Sequence, residues 1–444
     1  MKNKKFIVLA IILIILIGYY LFLRLNPPLH SSGMSYNSYD PYTIVIELEN
    51  DGFGGIKIQD VLVNNLEPKS TEIGISHSNQ MVTISEVREA SEGVSFHDIQ
   101  EITIKKPPQT VGDEDFDTIQ HYALAVYHNQ EIQNVKLKYK YLGIPFELDV
   151  DASQLQEKET GQKKYSFTYN GQTFHLHPYF EELLHYTSFI NANPDASKKD
   201  AFDQFVIEPF NEHAPVDLSY SMLGMHLSST TNIGQLEQNT LVLLESESHI
   251  IDLIKEAIIQ SADLLPMEGD TNIYLFPLDP NDFFVLHNME GVAGIAYYGN
   301  NIGISIDPSY NEEALQYGVA HEYHHVADLS YNGILATSNV LNFTLLEGKA
   351  DAFAQIVYPE FQAPWTEPLS SENESAVIEI LKEHGNSTDM SIYNQLRSGW
   401  SNYKIGNQII TSYIQNNPDK SILEWTQLDP KEIVLGSDYS NIVD

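Results

Sequence analysis

The chain has 444 residues, 42% hydrophobic and 19% charged, enough for two or three domains and a sizeable core. Its 24 Lys+Arg against 61 Asp+Glu leave a net charge of −37, a surface that repels phosphate backbones and argues against a nucleic-acid partner. It contains no Cys, which excludes disulfides, thiol catalysis, thiolate metal sites and a lipid anchor on an N-terminal Cys.

Phe6 to Leu23 is an uninterrupted apolar run of 18 residues. As a helix it is about 27 Å long, close to the thickness of a hydrocarbon core. Lys2, Lys4 and Lys5 precede it, Arg24 follows it, and Tyr19 and Tyr20 sit near its outer end. This charge bias predicts a signal anchor over residues 1–24 with a cytoplasmic N-terminus. A cleaved signal peptide expects a shorter apolar region and an Ala-x-Ala site, whereas LRLNPPLHSS follows here. The expectation is a single-pass protein of the cell membrane with extracytoplasmic C-terminal domains. The absence of disulfides in such a protein suggests a bacterial source.

Residues 25–40, rich in Pro, Ser and Asn, read as a tether. From 41 to 151 the period is two. Ile44, Ile46 and Leu48 alternate with Val45, Glu47 and Glu49, and Val135, Leu137, Tyr139 and Tyr141 alternate with three lysines. Turns at Asp51–Gly55 and Leu142-Gly143 separate such runs, so a β-sandwich-like domain is expected. The polar residues 152–164 read as a linker.

Residues 165–444 open with a hairpin, Tyr165–Tyr169 and Gln172–His177, turning on Asn170-Gly171. Helical periodicity then predicts helices near 178–192, 197–210, 240–264, 311–329, 340–358, 373–384 and 400–415. Strands are expected at Asn272–Pro277, Gly291–Tyr298 and Ile302–Ile306. The class expected of this part is α+β dominated by helices.

The chemistry lies in YNEEALQYGVAHEYHHVADL, residues 310–329. Asn311 can cap this helix, and Glu312 and Glu313 complement its dipole. His321 and His325 are four apart, so their imidazoles leave one face one turn apart, a spacing that suits one tetrahedral Zn²⁺. Glu322 adjoins the first histidine and suits the role of general base towards a water activated by the ion. The flanks Val319, Ala320, Tyr323, Val326 and Ala327 place these polar groups on a buried helix, where they are costly unless something satisfies them. His324 could also bind metal with His321, but His325 completes the motif.

A third ligand is offered by Glu347 in LLEGKADAFA, with Asp351 one turn on as an acceptor for the free N–H of a ligating His. Tyr403 is a candidate donor to the oxyanion formed at a peptide carbonyl, with helix packing as its plainer role. The strand Gly294–Tyr298 could pair with an extended peptide or lie inside a sheet. His175 and His177, in a period-two pattern, read as structural or exposed.

The arrangement resembles the gluzincins, thermolysin-like in outline. More closely, Ala320-His321-Glu322-Tyr323-His324-His325 followed by Glu347-Gly348-x-Ala350-Asp351 resembles the predicted Zn-dependent protease family known as domain of unknown function 2268. The resemblance runs from about residue 178 to the C-terminus. It takes in GVAGIA at 291–296 and Gly399-x-x-x-Tyr403-x-Ile405-Gly406, and omits the N-terminal β region. It implies a zincin-like domain over 165–444, one catalytic Zn²⁺ and a peptide or protein substrate.

The expected function is therefore that of a membrane-anchored extracytoplasmic zinc metallopeptidase. The fold expected is α+β: a transmembrane helix, a β-sandwich-like domain and a mainly helical metallopeptidase domain. The alternatives are a zinc-dependent amidase acting on cell-wall peptides and an inactive zinc-bearing scaffold. Glu322 disfavours the scaffold, since a purely structural site has no need of it.

Overall fold

The computed structural model describes residues 2–37, 39–77, 81–84, 87, 93–106, 118–153, 163–214, 218, 221–222, 224–333 and 339–443. The chain divides into two compact units, residues 1–160 with 188–196, and residues 161–187 with 197–444.

The first unit begins with helix α1 (Lys2–Leu25). Among the described residues, no helix is long and apolar enough to cross a membrane. The expected transmembrane anchor is corrected on this finding, and with it the fold class built on it and the single-pass membrane localisation. Leu23 instead joins the apolar core of the unit, and the Arg24 guanidinium lies 5.3 Å from the Phe146 ring.

Two antiparallel sheets follow. One has the order β1 (Leu29–Asn37), β2 (Asp40–Asn50), β6 (His121–Tyr127), β4 (Ser70–Ser76), β5 (Val94–Asp98). The other pairs β3 (Lys57–Val63), β7 (Asn134–Tyr141) and β8 (Ile144–Asp151). Ile44, Ile46 and Leu48 of the first meet Val135, Leu137 and Tyr139 of the second in one core, as period-two faces require. Residues 29–37, read as tether, are a strand whose side chains are mostly half-buried or exposed, which explains the missing apolar signal. Most of the expected linker, 154–162, lies outside the described residues.

The second unit carries a five-stranded mixed sheet, so its class is α/β with helices around a sheet and the expectation of a mainly helical domain fits only in part. The order is β12 (Val292–Tyr297), β13 (Asn301–Ile306), β11 (Thr271–Pro277), β10 (Gln172–Pro178), β9 (Tyr165–Tyr169). β10, β11 and β13 run parallel, and β9 and β12 are antiparallel edges. Asn170 and Gly171, at φ 48° and 86°, make the β9–β10 turn in the left-handed region that a tight hairpin needs. β13 is buried along its whole length, which is why it reads as a continuous run.

The helices of this unit used below are α2 (Ile233–Glu245), α3 (Glu247–Leu264), α4 (Phe283–Asn288), α5 (Glu312–Asn332), α6 (Val340–Val357), α7 (Ser371–His384), α8 (Met390–Arg397), α9 (Ser401–Asn416), α10 (Ile422–Gln427) and α11 (Pro430–Leu435). The period expected over 240–264 is two helices, α2 and α3, meeting at Ser246. α5 starts where expected: the Asn311 side chain accepts from the backbone N–H groups of Glu313 and Ala314. Its apolar face, with Leu315, Val319, Tyr323 and Val326, shares a core with Ile302, Ile304 and Ile306 of β13. The sheet thus supports the helix that carries the motif.

Candidate metal centre

α5 and α6 present the key groups to each other. Nε2 of His321 lies 3.4 Å and Nε2 of His325 lies 3.2 Å from the same oxygen, Oε2 of Glu347. Donors about 2.0–2.1 Å from a tetrahedral ion stand about 3.3 Å apart, so the two His–Glu distances match a four-coordinate site in which three protein donors leave one position over. Among the described residues, His321, His325 and Glu347 form the group of ligand-type side chains able to hold an ion. The two imidazoles are nearly perpendicular, at 86° with centroids 4.6 Å apart.

The charges around the centre call for a cation. Burial pushes the His321 imidazolium towards neutrality, but Asp351, Glu347 and Glu322 outweigh it and raise its pKa well above the ordinary value. Burial raises the Glu347 carboxyl, and His325 and His321 outweigh that, leaving it below the usual carboxylate range. A dication at the same point satisfies these carboxylates as well as protons on the imidazoles do, and a His₂Glu donor set suits Zn²⁺.

Asp351 is fully buried and accepts from Nδ1 of His321 at 3.0 Å. In the neutral imidazole this bond favours the proton on Nδ1, which leaves Nε2 for a metal. The same carboxylate oxygen accepts from the Tyr317 hydroxyl and from Nε1 of Trp365, each at 3.0 Å. Tyr317 stands one turn before His321, so its position was readable from spacing. Trp365 lies beyond α6, and no local pattern marks it. Tyr393 was also missed: its hydroxyl donates to Oε1 of Glu347 at 3.4 Å and accepts from Asn402 at 3.2 Å.

Glu322 lies beside the centre under β12. A Cβ on Gly294 would come within 2.6 Å of its Cγ, so only glycine lets the strand pass this close. Burial raises the Glu322 carboxyl, while His325, His321 and the backbone N–H of Ala296 pull the other way. One of its oxygens, Oε2, is buried without a hydrogen-bond partner among the described residues. Tyr403 stacks near His321 with ring centroids 6.3 Å apart. Its phenol is raised by burial and by Glu347, which keeps it protonated and able to donate.

Tyr403 reaches this position through a close crossing of α6 and α9. A Cβ on Gly348 would meet the Gly406 backbone at 2.2 Å, and one on Gly406 would meet the Thr344 carbonyl at 2.2 Å. The two glycines flagged by the sequence motifs thus set the distance between Glu347 and Tyr403.

The other histidines point elsewhere. His324 bonds Thr426 at 3.1 Å and stacks on Trp425, on the face of α5 turned away from the centre. His175 bonds Ser166, and His177 bonds Asn272 and stacks on Tyr274.

With this geometry the comparison with known families can be read. Residues 250–435 match the model of the family described as Predicted Zn-dependent protease (DUF2268). The matched segment holds β11–β13 and the whole of α5, α6 and α9, and so every residue of the centre. The resemblance expected from about residue 178 onward is shown over this narrower span. The family description carries a zinc-dependent protease as its suggestion and leaves substrate and cellular site open. No curated protein matches the chain.

Proposed function

We propose that this chain hydrolyses peptide bonds with one Zn²⁺ held by His321, His325 and Glu347. The observation that carries the reading is the convergence of both imidazoles on one Glu347 oxygen, at 3.4 and 3.2 Å, with Glu322 alongside. When bound, the ion supplies Lewis acidity, lowering the pKa of a water and polarising a carbonyl.

The protein's own residues do the rest. Asp351 fixes the His321 tautomer, and Tyr317 and Trp365 fix Asp351. Glu322 takes a proton from the attacking water and passes it to the leaving amine, a task for which a buried carboxylate beside the centre is suited. Tyr403 donates to the oxygen that gains negative charge as the carbonyl is attacked. β12 ends the sheet order, and an extended substrate backbone would add along its outer edge near Gly294, opposite Glu322.

The test is cleavage of an unfolded protein by the zinc-loaded chain beside its Glu322→Gln form. Loss of cleavage with zinc retained supports the reading. Robust cleavage by the Gln form removes Glu322 from the chemistry.

A further inference from the structure

A cavity opens from the candidate centre along the N-terminal half of α5. Its floor is Ala314 and Gly318, two turns and one turn before Glu322 on the same helix face. Its walls are Val292 of β12, Met289, Trp365 and Trp400. Beyond His321 and Glu322, which belong to the centre itself, none of the lining side chains carries charge.

Three observations show that the space is built for a side chain. The floor is small: a Cβ on Gly318 would meet only Cγ1 of Val292, at 3.7 Å, an ordinary contact with open space beyond. The wall is held against its backbone preference. Trp400 has φ 57° and follows Gly399 at φ 68°, and a bulky residue in the left-handed region costs about 1–3 kcal/mol. It is kept there by aromatic packing, with centroids 5.9 Å from Trp365 and 5.4 Å from Phe284. The surface beside it is apolar as well: Phe284 of α4, packed on Trp400, is 55% exposed.

We propose that this cavity receives a bulky apolar side chain, aromatic or leucine-sized, on the residue adjoining the scissile bond, and that Trp400 and Gly318 set the size accepted. The proposal rests on the peptidase reading for the position of the scissile bond. The substrates it selects are peptides with a large apolar residue at the cut. Acidic and basic side chains are disfavoured, because beyond the centre's own His321 and Glu322 the walls offer a buried charge no partner.

The test uses peptides identical except for Phe, Leu, Ala, Asp or Lys on either side of the scissile bond, with the zinc-loaded full chain. At one of the two positions kcat/KM is expected to be at least about tenfold higher for Phe and Leu than for Ala, and about a hundredfold higher than for Asp. Gly318→Leu should reverse the order of Phe and Ala, and Trp400→Ala should flatten it. A second readout needs no turnover. The chain has 3 Trp, and Trp365 and Trp400 line the cavity, so intrinsic fluorescence of the Glu322→Gln form should change with the Phe peptide and not with the Asp peptide. Equal rates across the series, or equal fluorescence response, overturns the proposal. Selective binding of the Phe peptide without hydrolysis by the parent chain overturns the peptidase reading and leaves the pocket standing.

Discussion

Glu322 owes its place to a residue on another element. Gly294 lets β12 lie against the carboxylate, and burial raises its pKa. Two outcomes separate its role from that of its neighbours. Glu322→Gln should keep the ion and lower kcat by about 10²–10⁴, the range of general acid–base catalysis. Asp351→Asn should do the reverse: the His321 tautomer loses its anchor, and zinc affinity should fall about 10–100-fold. Competition with a chromophoric chelator measures this. Tyr403→Phe removes one candidate donor to the oxyanion, and kcat should fall by about 10² with little change in KM. A pure KM effect would return Tyr403 to a packing role.

The helices α5, α6 and α9 bring those residues together, and their packing depends on a few interior positions. Gly348 and Gly406 cross with no room for a methyl group. Gly406→Ala should therefore cost about 1–3 kcal/mol by overpacking and also weaken zinc binding, because α6 carries Glu347. On the far face of α5, Lys349 and Asp328 are 2% and 1% exposed and 3.5 Å apart. Lys349 also donates to the carbonyls of Thr426 at 2.9 Å and Leu428 at 3.1 Å, joining α6 to the end of α10. Lys349→Met removes the counter-ion of the buried Asp328, which keeps a bond from Asn332, and should cost about 3–5 kcal/mol in denaturant unfolding.

These elements also show what the sequence reveals. His321, Glu322, His325, Glu347 and Asp351 are legible because helical spacing turns sequence separation into a shared face. The hairpin on Asn170-Gly171 is legible because few residues tolerate positive φ. β1 is not, since an edge strand with exposed faces shows no alternation. The short helices α4, α8, α10 and α11 were missed because six to eight residues give too little periodicity. Trp365 and Tyr393 reach the centre only through tertiary packing. The apolar N-terminal run reads as a span by composition, whereas Leu23 at its end packs into the β core.

At the scale of the whole molecule, the two units have separate cores. All 3 Trp, at 365, 400 and 425, lie in the second unit, so tryptophan fluorescence follows that unit alone. A ligand that binds only the folded state stabilises it by about 4 kcal/mol at a thousandfold excess over Kd. Zinc removal should therefore lower the fluorescence-detected Tm by several degrees. A β-sheet circular-dichroism transition from the first unit should stay in place. The measurement that tests the central claim most directly is the metal content of the purified full chain beside its His325→Ala form. The arrangement of His321, His325 and Glu347 predicts close to one zinc per parent chain and a large loss in the variant. A parent chain without stoichiometric zinc, or a variant that keeps it, contradicts the account.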